Sequence, residues 1–201
     1  MGTREKLLNL GGKLFEERGY DGVSVRDVIK LAGANLGAIT YHFGSKEAFF
    51  AEVVSRKIEP LMKMGRTIVA SGNGPEEKLR SMLETFAFHV LHTEPSLKVL
   101  FAEALASGKR LPKAAIEGIV WRNKQVMLVL NDGIKKKIFR KCDVECAAWS
   151  FFGMLSGYIL YRSMISGQKR EVAYTEAYVR RIVNAAMDIF LNGVCAPGRK
   201  K

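Results

Sequence analysis

The stretch SVRDVIKLAGANLGAITYHFGSKE, residues 24–47, decides how the N-terminal part of the chain folds. Its first half has apolar residues at the i, i+3, i+4, i+7 spacing of one helical face: Val25, Val28, Ile29 and Ala32. Ser24 and Asp27 stand three residues apart, which is the spacing of a capping box at the start of a helix. Gly33 suits the left-handed conformation that ends one. The pattern therefore predicts a helix over residues 25–32.

A second short helix is predicted directly after this turn. Asn35 is its candidate N-cap, and we expect the helix to cover residues 36–43. Its inward face would pack against the preceding helices through Leu36, Ile39 and Phe43. Its outward face would carry small and hydrogen-bonding residues: Gly37, Ala38, Thr40, Tyr41 and His42. Two short helices joined by a glycine-containing turn form a helix-turn-helix, which presents its second helix to the major groove of DNA.

The outward face suits contact with nucleic acid, because small residues permit close approach and hydroxyls and rings reach phosphates or base edges. The next helix starts at Ser45 and Lys46, where a lysine opposes the positive end of the helix dipole unless an anion lies nearby. Ser45, Lys46 and the helix N-terminus are thus a candidate phosphate clamp. The alternative is that Lys46, Tyr41 and His42 are ordinary solvated surface residues.

The rest of the chain also has apolar residues at helical spacing, and strand-like alternation is scarce. A first helix is expected to end at Arg18, and later helices are predicted at about residues 46–70, 75–92, 95–106, 112–139, 143–165 and 174–192. About nine helices make the fold class all-α. We predict a helix-turn-helix DNA-binding domain over residues 1–50, a helical regulatory and dimerisation domain over 51–195, and a mobile basic tail over 196–201.

Three motifs, in order and spacing, resemble the DNA-binding domain of the tetracycline-repressor (TetR) family: LFEERGYDG at residues 14–22, SVRDV at 24–28 followed by Ala32-Gly33, and YHFGSKE at 41–47. The resemblance covers about residues 3–50, and it implies DNA contacts, mostly to phosphates, at Ser24, Arg26, Gly37, Thr40, Tyr41, His42 and Lys46. With Asn35, Ala38 and Ser45 these form the candidate DNA-binding set. Lys30 and Leu36 depart from the family pattern. Residues 35–40 further resemble the CecR-like branch of the family.

Two C-terminal helices carry more apolar surface than one core needs. One stripe of the penultimate helix consists mostly of small residues, and one stripe of the last helix is largely apolar: Ser150, Gly153, Gly157 and Tyr161, then Tyr178, Ile182, Ala185 and Ile189. A helix that is apolar nearly all round must be covered on both sides. We therefore expect these stripes to meet their copies across a two-fold axis in a homodimer, which the family resemblance also implies.

The middle helices hold candidate ligand-pocket residues: Phe86, Phe88, His89, Phe101, Trp121, Arg122 and Met154. His89, Lys98 or Arg122 would supply a polar anchor. Core packing is the alternative for the aromatic and methionine residues, because helical spacing does not separate the two roles. The family resemblance implies that a small molecule binds here and shifts the fourth helix, which moves the paired recognition helices away from the spacing of about 34–36 Å that successive major grooves require.

The net charge of +12 does not by itself indicate a nucleic-acid partner. Residues 1–57 carry 9 Lys and Arg against 7 Asp and Glu, whereas residues 58–201 carry 23 against 13. The longest nearly uncharged run is too short to cross a bilayer, and the N-terminus does not have the pattern of a secretory signal, so we expect a cytoplasmic protein. Three cysteines at residues 142, 146 and 195 indicate reduced thiols.

No glycine-rich phosphate loop, serine elbow or HExxH motif is present, so we expect no enzyme, cofactor or metal. His89 and His92, like Cys142 and Cys146, form pairs without a third ligand at readable spacing. The sequence therefore favours a dimeric, ligand-responsive repressor that binds a palindromic DNA operator. The alternative is a helical module that binds a protein or a membrane surface without DNA specificity.

Overall fold

The computed structural model describes residues 2–93, 112–166 and 174–194, and within them it contains eight α-helices and no strand. In chain order these are α1 (Thr3–Arg18), α2 (Val25–Ala32), α3 (Ala38–Phe43), α4 (Lys46–Ala70), α5 (Pro75–Phe88), α6 (Lys113–Lys135), α7 (Val144–Ser166) and α8 (Glu176–Val194). A π-helical turn, His89–Thr93, continues α5. The all-α prediction is confirmed. The helix expected at residues 95–106 and the basic tail lie outside the described residues.

The chain divides into two compact units, Met1–Pro60 with Glu94–Gly118 and Leu61–Thr93 with Ile119–Lys201. Helix α4 contributes to both units and runs without interruption through residue 50, where the sequence predicts a domain boundary. Pro60 lies inside α4 at the end of the first unit. Because proline has no backbone N–H, the helix lacks one hydrogen bond at this point.

Helix α2 begins and ends as its sequence predicts. The Asp27 backbone N–H donates to the Ser24 hydroxyl at 3.1 Å, and the Ser24 backbone N–H donates to the Asp27 carboxylate at 3.0 Å, which together form the capping box. Gly33 ends the helix with φ 59° and ψ 36°, and the Ala34 N–H returns to the Ile29 carbonyl at 3.1 Å. A side chain other than glycine would be strained in this left-handed conformation.

Helix α3 is shorter than predicted, which corrects our expectation for Leu36 and Asn35. The helix starts at Ala38 with Gly37 as N-cap, and Leu36 is 72% exposed instead of packed inward. The reason is that Asn35 to Ala38 form a turn closed by a backbone hydrogen bond of 2.9 Å, so Leu36 lies outside the helical repeat. Asn35 therefore does not cap the helix with its side chain.

Helices α1, α3 and α4 share an aromatic core in the first unit. The Phe49 ring lies 5.8 Å from the Phe15 ring and 4.8 Å from the Phe43 ring. Phe50 makes an edge contact with Phe15 at 4.9 Å, and it makes another with Tyr20 at 4.9 Å. This core holds the end of α3 and the first turns of α4 against α1.

In the second unit, α6 ends earlier than the predicted residue 139. The Lys137 and Ile138 N–H groups donate back to the carbonyls of Ile134 and Gly133, and Lys137 has φ 58°. The buried Phe139 ring then folds against the backbone of Gly133. The Arg140 N–H and Nε donate to the Val194 and Gly193 carbonyls at 2.8 Å and 2.6 Å, so the chain after α6 contacts the end of α8.

None of the described helices is long and apolar enough to cross a lipid bilayer. Within the same residues, no three His, Cys, Asp or Glu side chains are grouped so that they could hold a metal ion. Cys142 and Cys146 are free thiols.

We predict that Gly11→Ala destabilises the protein by about 1–3 kcal/mol, because overpacking a close-packed core forces its side chains to move. A Cβ atom at Gly11 would lie 2.2 Å from Cζ of Phe49, and this ring is 1% exposed and enclosed by Phe15 and Phe43. Urea unfolding measures the change.

Gly12→Ala is the matched control, since its added Cβ would meet Lys57 and Val53 at an ordinary 3.5 and 3.6 Å. It should leave stability unchanged or raise it by up to about 1 kcal/mol through helix propensity. Equal unfolding midpoints for the two variants would show that Phe49 does not pack on Gly11 as described.

Candidate functional site

The outward face of α3 is exposed while its inward face is buried. Ile39 is 1% exposed, whereas Tyr41 is 85% exposed and Thr40 is also exposed. Gly37 is exposed and has no atom within 4 Å of an added Cβ, and Ala38 is half-buried. An exposed aromatic ring with a hydroxyl and small residues beside it is a surface that can approach another molecule closely. These residues lie where the sequence predicts.

Three consecutive rings end α3. The Tyr41 and His42 rings are 5.0 Å apart and nearly perpendicular, and the His42 and Phe43 rings are 6.0 Å apart. Phe43 in turn packs on Phe49, and the Arg4 guanidinium lies 5.3 Å from the centre of the Phe43 ring. The half-buried His42 is thus positioned between the exposed Tyr41 and the aromatic core.

Tyr20 organises the N-terminus of α4. The Lys46 ammonium lies 4.3 Å from the centre of the Tyr20 ring, and the Tyr20 hydroxyl donates to the Glu47 carboxylate at 2.9 Å. The Ser45 hydroxyl accepts from the Ala48 N–H at 3.1 Å, so Ser45 caps the helix as predicted. The Glu47 backbone N–H and the Ser45 and Tyr20 hydroxyls also lower the pKa of Glu47 below its ordinary value. Tyr20 is not among the site residues that the sequence predicts, although the motif contains it.

Ser24 and Arg26 lie at the start of α2, and both are exposed. The Ser24 hydroxyl donates to the Asp27 carboxylate at 2.7 Å while it accepts from the Asp27 N–H. Since a hydroxyl has one proton to donate, a phosphate contact by Ser24 would have to replace the bond to Asp27. Arg26 adds an exposed positive charge two residues after Ser24.

Leu36 belongs to the same exposed surface, and sequence reasoning missed it. It directly precedes Gly37, and with 72% exposure its side chain extends into solvent. An apolar side chain next to a recognition helix can contact the methyl group of thymine. The departure from the family pattern at this position was the available signal.

The predicted dimer stripes lie on the outer side of α7 and α8. Ser150, Gly153, Ala185 and Ile189 are exposed, the last by 67%, and Gly157, Tyr178 and Ile182 are half-buried. The neighbouring stripes face inward, with Phe151, Leu155, Val179 and Val183 fully buried. Trp149 adds a further exposed apolar side chain. Tyr161 lies in α7, but its side chain is outside the described part of the chain.

The predicted pocket residues divide into separate groups. Phe86 and Arg122 lie together with Phe152: the Arg122 guanidinium is 4.6 Å from the Phe86 ring centre and 3.9 Å from that of Phe152. Phe88 lies under the guanidinium of Arg180 at 5.2 Å. Trp121 packs against Gly65 of α4, where an added Cβ would lie 3.1 Å from the indole. His89 and Met154 are half-buried, and Phe101 lies outside the described residues.

Helices α1 to α3 contain a helix-turn-helix whose second helix has an exposed edge. They are followed in sequence by a larger set of helices with an apolar outer face. These two features together define a DNA-binding regulator. Residues 7–53 match the family model for bacterial regulatory proteins of the tetR family. Residues 77–193 match the model for the C-terminal domain of AefR-like transcriptional repressors. The chain belongs to the TetR family of bacterial transcriptional regulators.

Individual relatives agree with this assignment. The chain is 30% identical to the HTH-type transcriptional repressor KstR2 of Rhodococcus jostii over 150 residues, which is 73% of this chain and 72% of that repressor. The structure of the ketosteroid transcriptional regulator KstR2 of Mycobacterium tuberculosis matches 97% of this chain and 96% of its own with a TM-score of 0.66 and 25% identity.

The fold is also that of the transcriptional regulator FadR from Bacillus subtilis in complex with stearoyl-CoA, with a TM-score of 0.78 over 94% of this chain and 98% of that one at 19% identity. These comparisons do not confirm the resemblance to the CecR-like branch.

We predict that Asp27→Ala lowers the urea midpoint of unfolding at neutral pH, and that the difference from the unchanged protein disappears in acid. The hydrogen bonds from Ser24 lower the pKa of Asp27, so the folded state binds its proton less readily than the unfolded state. The stabilisation is therefore complete above the unfolded value of about 3.9 and is lost as pH falls through the lower folded value.

The control is Glu17→Ala, which removes an exposed carboxylate of α1. Urea titrations from pH 7 down to about pH 2.5, below the ordinary range of an aspartate, compare the two variants. A midpoint difference for Asp27→Ala that persists at the lowest pH would contradict a role for the ionised carboxylate in the capping box.

Proposed function

We propose that the protein is a repressor that binds a palindromic operator as a homodimer and leaves it when a small-molecule effector binds the helical body. The observation that carries the proposal is the division of α3 into a buried Ile39 and an exposed Thr40–Tyr41 edge. A recognition helix needs this arrangement, since one side must be fixed to the domain and the other must reach the groove.

The proposed DNA surface combines contacts to phosphates with contacts to base edges. Arg26, Ser45, Lys46 and the Tyr41 and His42 rings would contact the backbone, which sets register and orientation. Thr40, Ala38 and Gly37 would lie closest to the bases, together with Leu36. Ser24 and Asn35 lie at the margin of this surface. Lys46 would exchange its contact with the half-buried Tyr20 ring for a phosphate, because a charge-assisted hydrogen bond is stronger than a cation–π contact that water still reaches.

We predict that Lys46→Ala weakens binding to operator and to unrelated DNA by a similar factor. It should flatten the slope of log affinity against log salt by about one unit for each phosphate that the protein no longer neutralises. Fluorescence anisotropy with DNA that flanks the protein's own gene, at several salt concentrations, measures both quantities.

Lys63→Ala removes an exposed lysine of the same helix outside the proposed surface and should leave the slope unchanged. If Lys46→Ala also leaves it unchanged, α4 does not hold a phosphate at its N-terminus. DNA affinity that is insensitive to both Lys46 and Thr40 would favour the alternative, a module that binds a protein or a membrane surface.

The homodimer would form through the outer stripes of α7 and α8. Trp149 and Ile189 are exposed apolar side chains that such an interface would cover, and the small exposed residues Ser150 and Gly153 would let helices approach closely. Each protomer would bury this surface against the same surface of its copy, as two-fold symmetry requires. Two recognition helices held about 34–36 Å apart would then read successive major grooves.

We predict that Ile189→Asp converts the dimer to a monomer and lowers operator affinity at least about 100-fold, because the variant buries an unpaired charge at the interface. Ile189 is 67% exposed in one chain, so the substitution should not disturb the fold of the protomer. Light scattering after size-exclusion chromatography and DNA titration measure the two effects.

Leu128→Asp is the matched control, because Leu128 is 52% exposed on α6 and lies outside the proposed interface. It should remain dimeric with normal DNA affinity. A dimer that survives Ile189→Asp would place the interface elsewhere.

We further propose that the protein is not an enzyme and works in the cytoplasm. Its relatives are transcriptional regulators, and operator DNA in a bacterium is cytoplasmic. The effector would be a small organic molecule, since FadR was solved with stearoyl-CoA and KstR2 is described as a ketosteroid regulator. Phe86, Arg122 and Phe152 are described residues that come together in the helical body and could contact it.

A further inference from the structure

The second unit contains two consecutive polar residues, Arg122 and Asn123, that have three buried side-chain atoms without a hydrogen-bond partner among the described residues. Arg122 Nε is buried and makes no hydrogen bond with any described residue. Asn123 is 3% exposed, and both its amide nitrogen and its amide oxygen are buried without a partner among the same residues. Native proteins satisfy the great majority of such groups, so three unsatisfied atoms on adjacent residues need an explanation.

The surroundings of Arg122 are apolar. The centres of its guanidinium, the Phe86 ring and the Phe152 ring form a compact triangle with sides of 3.9, 4.6 and 5.0 Å. Burial lowers the pKa of Arg122 to about 9, and the guanidinium still carries its charge at neutral pH. The two rings hold the guanidinium in position but do not accept its N–H groups as an oxygen would. The cation is thus oriented and desolvated, and no described residue forms an ion pair with it.

A buried cation of this kind costs stability, because removing a charge from water is repaid only by an opposite charge and good hydrogen bonds. Asn123 lowers the stability further, because it belongs to the same buried helical stripe as Val126 and Leu130, at i+3 and i+7, which are fully buried and apolar. Leucine would fit the apolar stripe at position 123 without this cost. The pattern is expected of a site whose missing partner is a ligand.

We propose that Arg122 and Asn123 form the polar end of the effector site, and that the effector is an organic anion with an apolar body. Its anionic oxygens accept hydrogen bonds from the Arg122 guanidinium, the Asn123 amide donates to it or accepts from it, and its apolar part contacts Phe86 and Phe152. This inference rests on the proposed function, because it names the effector class of the same helical body.

The site is also close in sequence to a contact that could transmit binding. Trp121, the residue before Arg122, packs against Gly65 of α4, and the Arg66 guanidinium lies 5.9 Å from the indole centre. A ligand that binds Arg122 and shifts its position would therefore also shift Trp121, the residue of the same helical turn that contacts α4. Helix α4 begins at Lys46, which lies in the proposed DNA surface.

Thermal unfolding of the full-length protein with a series of straight-chain carboxylates, from butanoate to palmitate, and with the matching CoA thioesters tests the inference. At least one of them should raise the melting temperature. If the free acids raise the melting temperature, the group bound by Arg122 is a carboxylate. If only the thioesters raise it, the group is one of the anionic groups of the CoA nucleotide. Isothermal titration then gives the affinity of the best probe.

Arg122→Met should weaken this affinity about 10- to 100-fold, the effect of losing a hydrogen bond to a charged group, and Asn123→Leu about 2- to 10-fold. Neither variant should lower the melting temperature of the ligand-free protein, because each removes unsatisfied buried groups. Arg180→Met is the matched control: Arg180 also lies over a ring, Phe88, but is exposed and paired with Glu176 at 2.7 Å.

Three results would overturn the inference: no probe stabilises the protein, Arg122→Met binds as tightly as the unchanged protein, or Arg180→Met loses as much affinity as Arg122→Met. If Arg122→Met does not fold, Asn123→Leu decides by the same criteria. DNA titration without any probe is a separate measurement. Normal operator binding beside a failed ligand test would reject only the site, whereas loss of DNA recognition would reject the proposed function.

Discussion

The contact between the Phe49 ring and the backbone of Gly11 is the constraint on which the N-terminal unit depends. It brings α4 so close to α1 that no side chain fits between them, and the same ring contacts Phe15 and Phe43. One aromatic side chain thus joins the first helix, the end of the recognition helix and the first turns of α4. Because α3 has only six residues, it could not hold its orientation by its own hydrogen bonds. The exposed edge of α3 has a defined orientation only because Phe43 and Ile39, on its other side, pack against the rest of the unit.

The two ends of helix α4 make different contacts. Its first turn carries Lys46 and packs on Tyr20, while its later part meets Trp121 of α6 in the second unit. Pro60 lies between these two parts and removes one backbone hydrogen bond. A displacement of α6 would therefore act first on the part of α4 that follows Pro60. Coupling between effector and DNA requires only that the two ligands favour different arrangements of such a shared element, and about 1–3 kcal/mol of difference is typical.

The sequence predicts the helices best where local signals agree with the packing. Residues 25–32 have a capping box, a regular apolar face and a terminal glycine, and α2 has those bounds. Leu36 shows where local reasoning fails, since its apolar character and its distance from Ile39 suggest a buried position, but the turn before Ala38 interrupts the helical repeat. The predicted end of α6 is too late for a related reason: Lys137 adopts a conformation that favours glycine, so no residue type marks the turn. Asn123 escapes sequence reasoning because a single polar residue in an apolar stripe resembles a surface position until its burial is known.

The places where these local rules fail are also the places that the function needs. Tyr41 and Leu36 are exposed where the proposed DNA surface needs them, and Ile189 is exposed where the proposed dimer interface would cover it. The same reasoning applies inside the second unit, where three buried polar atoms of Arg122 and Asn123 have no hydrogen-bond partner among the described residues, and we expect them to lower the stability of the ligand-free protein. Natural proteins retain such residues when binding of a partner offsets the lost stability. A partner stabilises the form that it binds, so a protein that binds DNA through one unit and an anionic effector through the other would respond to both.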